Sequence, residues 1–94
     1  MYYYAMVKLS NDHEIGYALA NAETSHQARI LMRRVSVQTL GRQDIELVDF
    51  MELSKFLQPY IKRNTTDDKV FVQMLKMDAE MLDEKSAELY NWNT

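Results

Sequence analysis

The chain has 94 residues, 47% of them hydrophobic and 27% charged, which suits one domain of modest stability and is too apolar for a disordered segment. Eleven Lys and Arg against fourteen Asp and Glu leave a net charge of −3, and there is no cysteine. This excludes a disulfide framework, a thiolate nucleophile and a cysteine-based zinc site, and argues against non-specific nucleic-acid binding as the main role. The apolar start, Met1 to Val7, is too short for a signal sequence and lacks a positive leader. No uninterrupted apolar run approaches the roughly 20 residues of a membrane span, so the expected setting is soluble and cytoplasmic, with no membrane partner.

Tyr2 to Leu9 reads as a first strand, since three tyrosines and Val7 fit a pleated, half-buried surface. Alternation sets Tyr3, Ala5, Val7 and Leu9 on one face and Tyr2, Tyr4, Met6 and Lys8 on the other. Ser10-Asn11-Asp12-His13 supplies a turn, and Glu14 to Ala22 returns antiparallel as a hairpin. This second strand is lopsided. Ile15, Tyr17 and Leu19 face one way; Gly16, Ala18, Ala20 and Ala22, all small, face the other and leave room for a close neighbour.

Thr24 is placed to cap a helix running to about Leu40, with Gln27 completing a capping box and Gly41 closing the far end. Ala28, Leu31, Met32 and Val35 form its apolar stripe. Asp44 to Met51 is expected to be a third strand with imperfect alternation, the mark of a bulge or of burial on both faces. Leu53, Phe56, Leu57, Tyr60 and Ile61 recur at helical spacing, but Pro59 predicts a short or broken segment. From Thr65 or Thr66 a longer helix is predicted to run towards Tyr90, with Asp67 and Asp68 at the positive end of its dipole. About 25 residues of helix would extend about 37 Å and overhang a core of this size.

The expected architecture is therefore α+β: hairpin, helix, third strand, a Pro-interrupted short helix and a long C-terminal helix (ββαβαα). The helices would lie on one face of a small three-stranded sheet, whose free edge would invite association.

Charge is unevenly distributed. Residues 27 to 43 hold four arginines and no acid, a balance of +4; residues 66 to 94 hold seven acids against three lysines, a balance of −4. Arg29 and Arg33 stand at i, i+4, and with Arg34 and Arg42 they could offer a face to phosphate or another anion. The competing reading is an internal match between this basic helix and the acidic C-terminal segment. Tyr2, Tyr4 and Tyr17 could stack nucleic-acid bases, although sheet tyrosines more often serve as amphipathic packing residues.

The methionine and leucine stripe of the last helix divides into two parts. Val70, Phe71, Met74 and Leu75 are expected to pack internally. Met77, Met81, Leu82, Leu89, Tyr90 and Trp92 are expected to form a partner or dimer interface on the overhanging part. Catalytic combinations lack their framework. There is no Gly-x-Ser-x-Gly elbow, no phosphate-cradling glycine loop, and the two histidines do not match a zinc spacing. No cofactor or metal is expected. The leading expectation is a non-catalytic interaction protein, homodimeric, binding or inhibiting a macromolecular partner. Phage and mobile-element accessory proteins share this size and composition, which is an analogy of bulk properties only. The alternative is a nucleic-acid-binding module using the arginine face.

Overall fold

A computed structural model describes residues 1–92. The elements are β1 (Tyr2–Leu9), β2 (Glu14–Asn21), α1 (Ser25–Leu40), β3 (Ile45–Glu52), α2 (Leu53–Arg63), α3 (Thr66–Glu80) and β4 (Ser86–Asn91). The fold is α+β. All pairings are antiparallel, and the sheet order is β3-β1-β2-β4. The central strands are the hairpin, and the two edges are recruited from later in the chain.

The hairpin closes through Ser10-Asn11-Asp12-His13. Asp12 sits at φ 67, and the Asn11 side chain accepts a bond of 3.1 Å from the His13 N–H. An Asx side chain can replace a backbone acceptor in this way, which is why such residues tolerate tight reversals. In α1 the Gln27 N–H donates to the Thr24 hydroxyl at 3.1 Å, and the Gln27 side chain accepts from the Glu23 N–H at 3.1 Å. Gly41, at φ 68, returns its N–H to the Val37 carbonyl. Both ends of α1 are thus satisfied by the residues expected to do so.

Each face of the sheet carries its own core. On one face α1 brings Ala28 and Met32 down onto Tyr3, Ala5, Val7, Ala18, Ala20 and Ala22. The small alanines of β2 are what let the helix approach so closely. On the other face α2 and α3 contribute Leu53, Leu57, Val72, Leu75 and Ala79 to a core with Tyr4, Tyr17 and Leu19. Leu19, Leu57 and Leu75 are within 1% of complete burial, worth about 1.5–3 kcal/mol each. The expectation of helices on a single face is corrected: the sheet is sandwiched, and neither face is open.

Two bulges shape this sheet. Pairing slips between Val7 and Lys8, which turns Ile15 towards the α1 core instead of the face it shares by alternation with Tyr17. A second slip between Tyr4 and Met6 falls opposite Asp49, at φ 53, and brings Phe50 onto the α1 side, stacked on Tyr3 at 5.6 Å. The irregular alternation of β3 has this cause.

The largest departure lies at the C-terminal end. The helix expected to reach Tyr90 stops at Glu80, and the chain reverses and returns as a fourth strand beside β2. At about 1.5 Å per residue α3 spans about 22 Å and does not overhang. The reversal is held by the Asn21 side-chain amide donating to the Leu82 carbonyl at 3.1 Å and the Ser86 hydroxyl donating to Asp83 at 2.6 Å. Pro59, expected to interrupt α2, sits inside an unbroken helix of 11 residues. Pro59 and Lys55 are both exposed, so the carbonyl that proline leaves without a donor faces water.

Candidate functional site

Each arginine singled out in the sequence meets a different fate. The Arg33 guanidinium donates to two backbone carbonyls, Ile45 at 3.0 Å and Gln43 at 3.2 Å, and so ties α1 to the start of β3. Arg42 makes a two-pronged pair with Asp44, whose carboxyl is thereby held below the usual carboxylate range. Arg29 lies over the Phe50 ring at 4.7 Å. Arg34 is exposed and lines a shallow groove of about 450 Å³ with Ile30, Arg33, Val37, Gln38 and Gln43. Among the described residues none of the four pairs with the acidic segment, for a simple reason. α1 and α3 cover opposite faces of the sheet. Among the described residues the ion pairs are Lys8–Asp12 at 2.8 Å and Arg42–Asp44, both local.

The tyrosines belong to packing. Tyr4 and Tyr17 are buried, and a chain of rings runs from Trp92 through Tyr17 and Tyr4 to Phe56, Tyr60 and Phe71. Burial, then nearby anionic groups, pushes the Tyr4 phenol up to about 12. Tyr90 and Tyr17 are also raised, first by burial and then by carboxylates that include Asp78. Rings so enclosed cannot stack on bases. Tyr2 is half-buried against the same core.

The six residues expected to form an interface divide evenly. Leu89 packs beneath α1, Leu82 packs on the α2/α3 core, and Tyr90 stacks on Tyr17 at 5.0 Å. Met77, Met81 and Trp92 are exposed. The correction follows from β4: once residues 86–91 are a strand, Leu89 and Tyr90 point to opposite faces of the sheet.

Two residues assigned to internal packing turn out to be surface. Val70 is 65% exposed and Met74 is 44% exposed. The buried side of α3 is instead Val72, Leu75 and Ala79, continued by Leu82. That i, i+3, i+7, i+10 series was the available signal, and the larger methionines on the opposite side masked it. Val70, Met74, Met77 and Met81, at i, i+4, i+7 and i+11, form the opposite crest and point to solvent. Val70, Met74 and Met77, with Lys69, Gln73 and Asp78, border a shallow groove of about 470 Å³. Half of the eight exposed large hydrophobic side chains among the described residues lie on this crest, and a fifth, Ile61, lies on the adjoining helix.

No protein-family model, curated protein or solved structure matches the chain. Its role must be read from its own surface.

His13 and His26 are both exposed, and neither lines the grooves described above. Among the described residues no group of three His, Asp or Glu is placed to hold a metal ion. No helix among them is long and apolar enough to cross a membrane.

Proposed function

We propose that this chain is a non-catalytic interaction protein that self-associates as a homodimer and, in that form, binds or inhibits a macromolecular partner. The supporting observation is the methionine crest of α3: four large apolar side chains in helical register, all solvent-facing, on a helix whose other side is already packed. Contiguous apolar patches beyond a few hundred Å² are uncommon on monomers and usually mark an interaction site. Methionine suits the role because its unbranched, polarisable side chain adapts to a facing surface. The cysteine-free composition fits a cytoplasmic setting, and the size and charge fit accessory proteins of phages and mobile elements.

Mass measured by light scattering across a concentration series tests the proposal. The expected result is a dimer whose fraction falls on dilution, and a shift towards monomer in Met74→Glu and Met77→Glu. Because both positions are exposed, these substitutions leave the core intact, so circular dichroism should be unchanged. A wild-type chain that stays monomeric at high concentration refutes self-association.

The nucleic-acid reading has less support. Arg33 and Arg42 spend their hydrogen bonds within the fold, and Arg29 lies on an aromatic ring.

A further inference from the structure

We propose that the crest of α3 is a site of reversible oxidation: a hydroperoxide transfers oxygen to the thioethers of Met74, Met77 and Met81, which makes an apolar surface polar and leaves the fold intact.

The seven methionines of the chain stand in three kinds of surroundings. Met32 is fully buried on the packed side of α1, and Met6 and Met51 are half-buried in β1 and β3. Met1, Met74, Met77 and Met81 are exposed, at 62%, 44%, 54% and 80%. Oxygen transfer needs a peroxide to reach the sulfur, so exposure decides which of the seven react. Three of the four accessible sulfurs share one side of α3, at i, i+3 and i+7, where successive side chains adjoin. Met1 lies outside this helix.

In the reaction a sulfur lone pair attacks one peroxide oxygen, the O–O bond breaks and an S–O bond forms. With hydrogen peroxide the departing hydroxide takes up the proton of the transferred oxygen and leaves as water. Sulfur gives up two electrons, the peroxide accepts them, and no further co-reactant is needed. The product is a polar sulfoxide, which methionine sulfoxide reductases can return to the thioether.

Placement in the fold decides what this change does. Val72, Leu75 and Ala79 hold α3 to its core from the other side of the helix, so a sulfoxide on the crest stays hydrated. A sulfoxide at Met32 would instead bury an acceptor among Tyr3, Ala5, Ala18 and Ala20, with the cost of an unsatisfied polar group. The native fold thus confines the reaction to the surface. Of the four crest side chains only Val70 stays apolar afterwards. The consequence for assembly rests on the self-association proposed above. A crest covered by a second copy is shielded from peroxide, and by linkage an oxidised crest associates less tightly.

The test treats the native protein with dilute hydrogen peroxide and locates each added oxygen by peptide mass spectrometry over time. Met74, Met77 and Met81 are expected to react at least about tenfold faster than Met32. Circular dichroism should be unchanged, and the oxidised chain should elute earlier from a hydrophobic-interaction column. Methionine sulfoxide reductases should restore the original elution. The variant Met74→Leu/Met77→Leu/Met81→Leu keeps an apolar crest without its sulfurs, and the same treatment should shift its elution far less.

Oxidation of Met32 in step with the crest, or loss of the helical signal as the crest gains oxygen, would overturn the proposal, because the reaction would then require an opened chain. An elution shift as large in the leucine variant would overturn it as well. Repeating the reaction at low and high protein concentration separates the site from its consequence for assembly. Crest rates that fall as concentration rises, with a mass shift towards monomer after oxidation, are expected. Crest rates and mass that ignore concentration would refute self-association through the crest and leave the oxidation site standing.

Discussion

Gly16 and Tyr90 meet across the β2–β4 ladder with no space for a side chain between them. A β-carbon built on Gly16 would lie 1.9 Å from the Tyr90 carbonyl oxygen and 3.0 Å from the Asn91 α-carbon. The obstacle is backbone and cannot rotate away. Gly16→Ala should therefore displace β4 or cost about 3 kcal/mol of overpacking, read as a lowered urea midpoint. Gly41, which has open space where its β-carbon would go but sits at φ 68, gives the contrast. Gly41→Ala should cost only the left-handed backbone strain, about 1–2 kcal/mol.

Two residues one turn apart on α2 should respond very differently to truncation. Leu57 is 1% exposed in the α2/α3 core, and Ile61 one turn later is 54% exposed. Leu57→Ala is expected to cost about 2–5 kcal/mol, because the enclosing side chains collapse only in part. Ile61→Ala should stay within about 0.5 kcal/mol. Chemical denaturation of both variants under one set of conditions checks the difference.

Alkaline pH should unfold the protein through its buried phenols. The Tyr4 phenol ionises near 10 in an unfolded chain and near 12 in the fold, so the folded state holds its proton more tightly. Its contribution is fully present below pH 10 and is lost as pH rises from 10 to 12. Stability should fall across that interval, and the phenolate absorbance of Tyr4 should rise only as the fold gives way. Tyr4→Phe should flatten the pH dependence. A tyrosine titration complete near pH 10 with the fold intact would contradict the assignment.

Arg33 and Arg34 are neighbours with opposite duties. Arg33→Ala removes two charge-assisted bonds to carbonyls at the α1–β3 junction and should cost about 1–3 kcal/mol. Arg34→Ala should leave stability unchanged. Neither variant should alter mobility shifts with single- or double-stranded nucleic acid, because the wild type is expected to show none at low salt. A salt-dependent shift lost in Arg34→Ala would restore the nucleic-acid reading.

How much was legible in the sequence depended on whether the deciding interaction was local. The Asn11–Asp12 turn, the Thr24–Gln27 cap and Gly41 act within a few residues, and each occurs where its chemistry was recognised. β4 does not act locally. Ser86–Asn91 has no strong strand-forming composition, and the reversal before it contains neither glycine nor proline. Lys85 adopts φ 60 without the usual glycine or asparagine. What makes the segment a strand is the vacancy beside Gly16 and the cover of α1, some seventy and fifty residues away in the chain. The small face of β2 did announce a close neighbour. It could not say that there are two, α1 above the alanines and β4 alongside the glycine. The methionine crest was obscured in a different way: helical spacing identifies an apolar face only when one face is apolar, and α3 has two.

The position of β4 carries a consequence for how the molecule breathes. Its partner β2 is already committed to a local hairpin with β1, while β4 is tied in by one neighbouring strand and a non-local closure spanning most of the chain. Amide protons of β4 should therefore exchange with solvent in a partial opening well below the global unfolding free energy, with those of β1 the last to go. Such an opening bares the outer edge of β2, which a β4 from another molecule could occupy. The same glycine that seats the strand in its own sheet thus leaves a slot for strand exchange at high concentration.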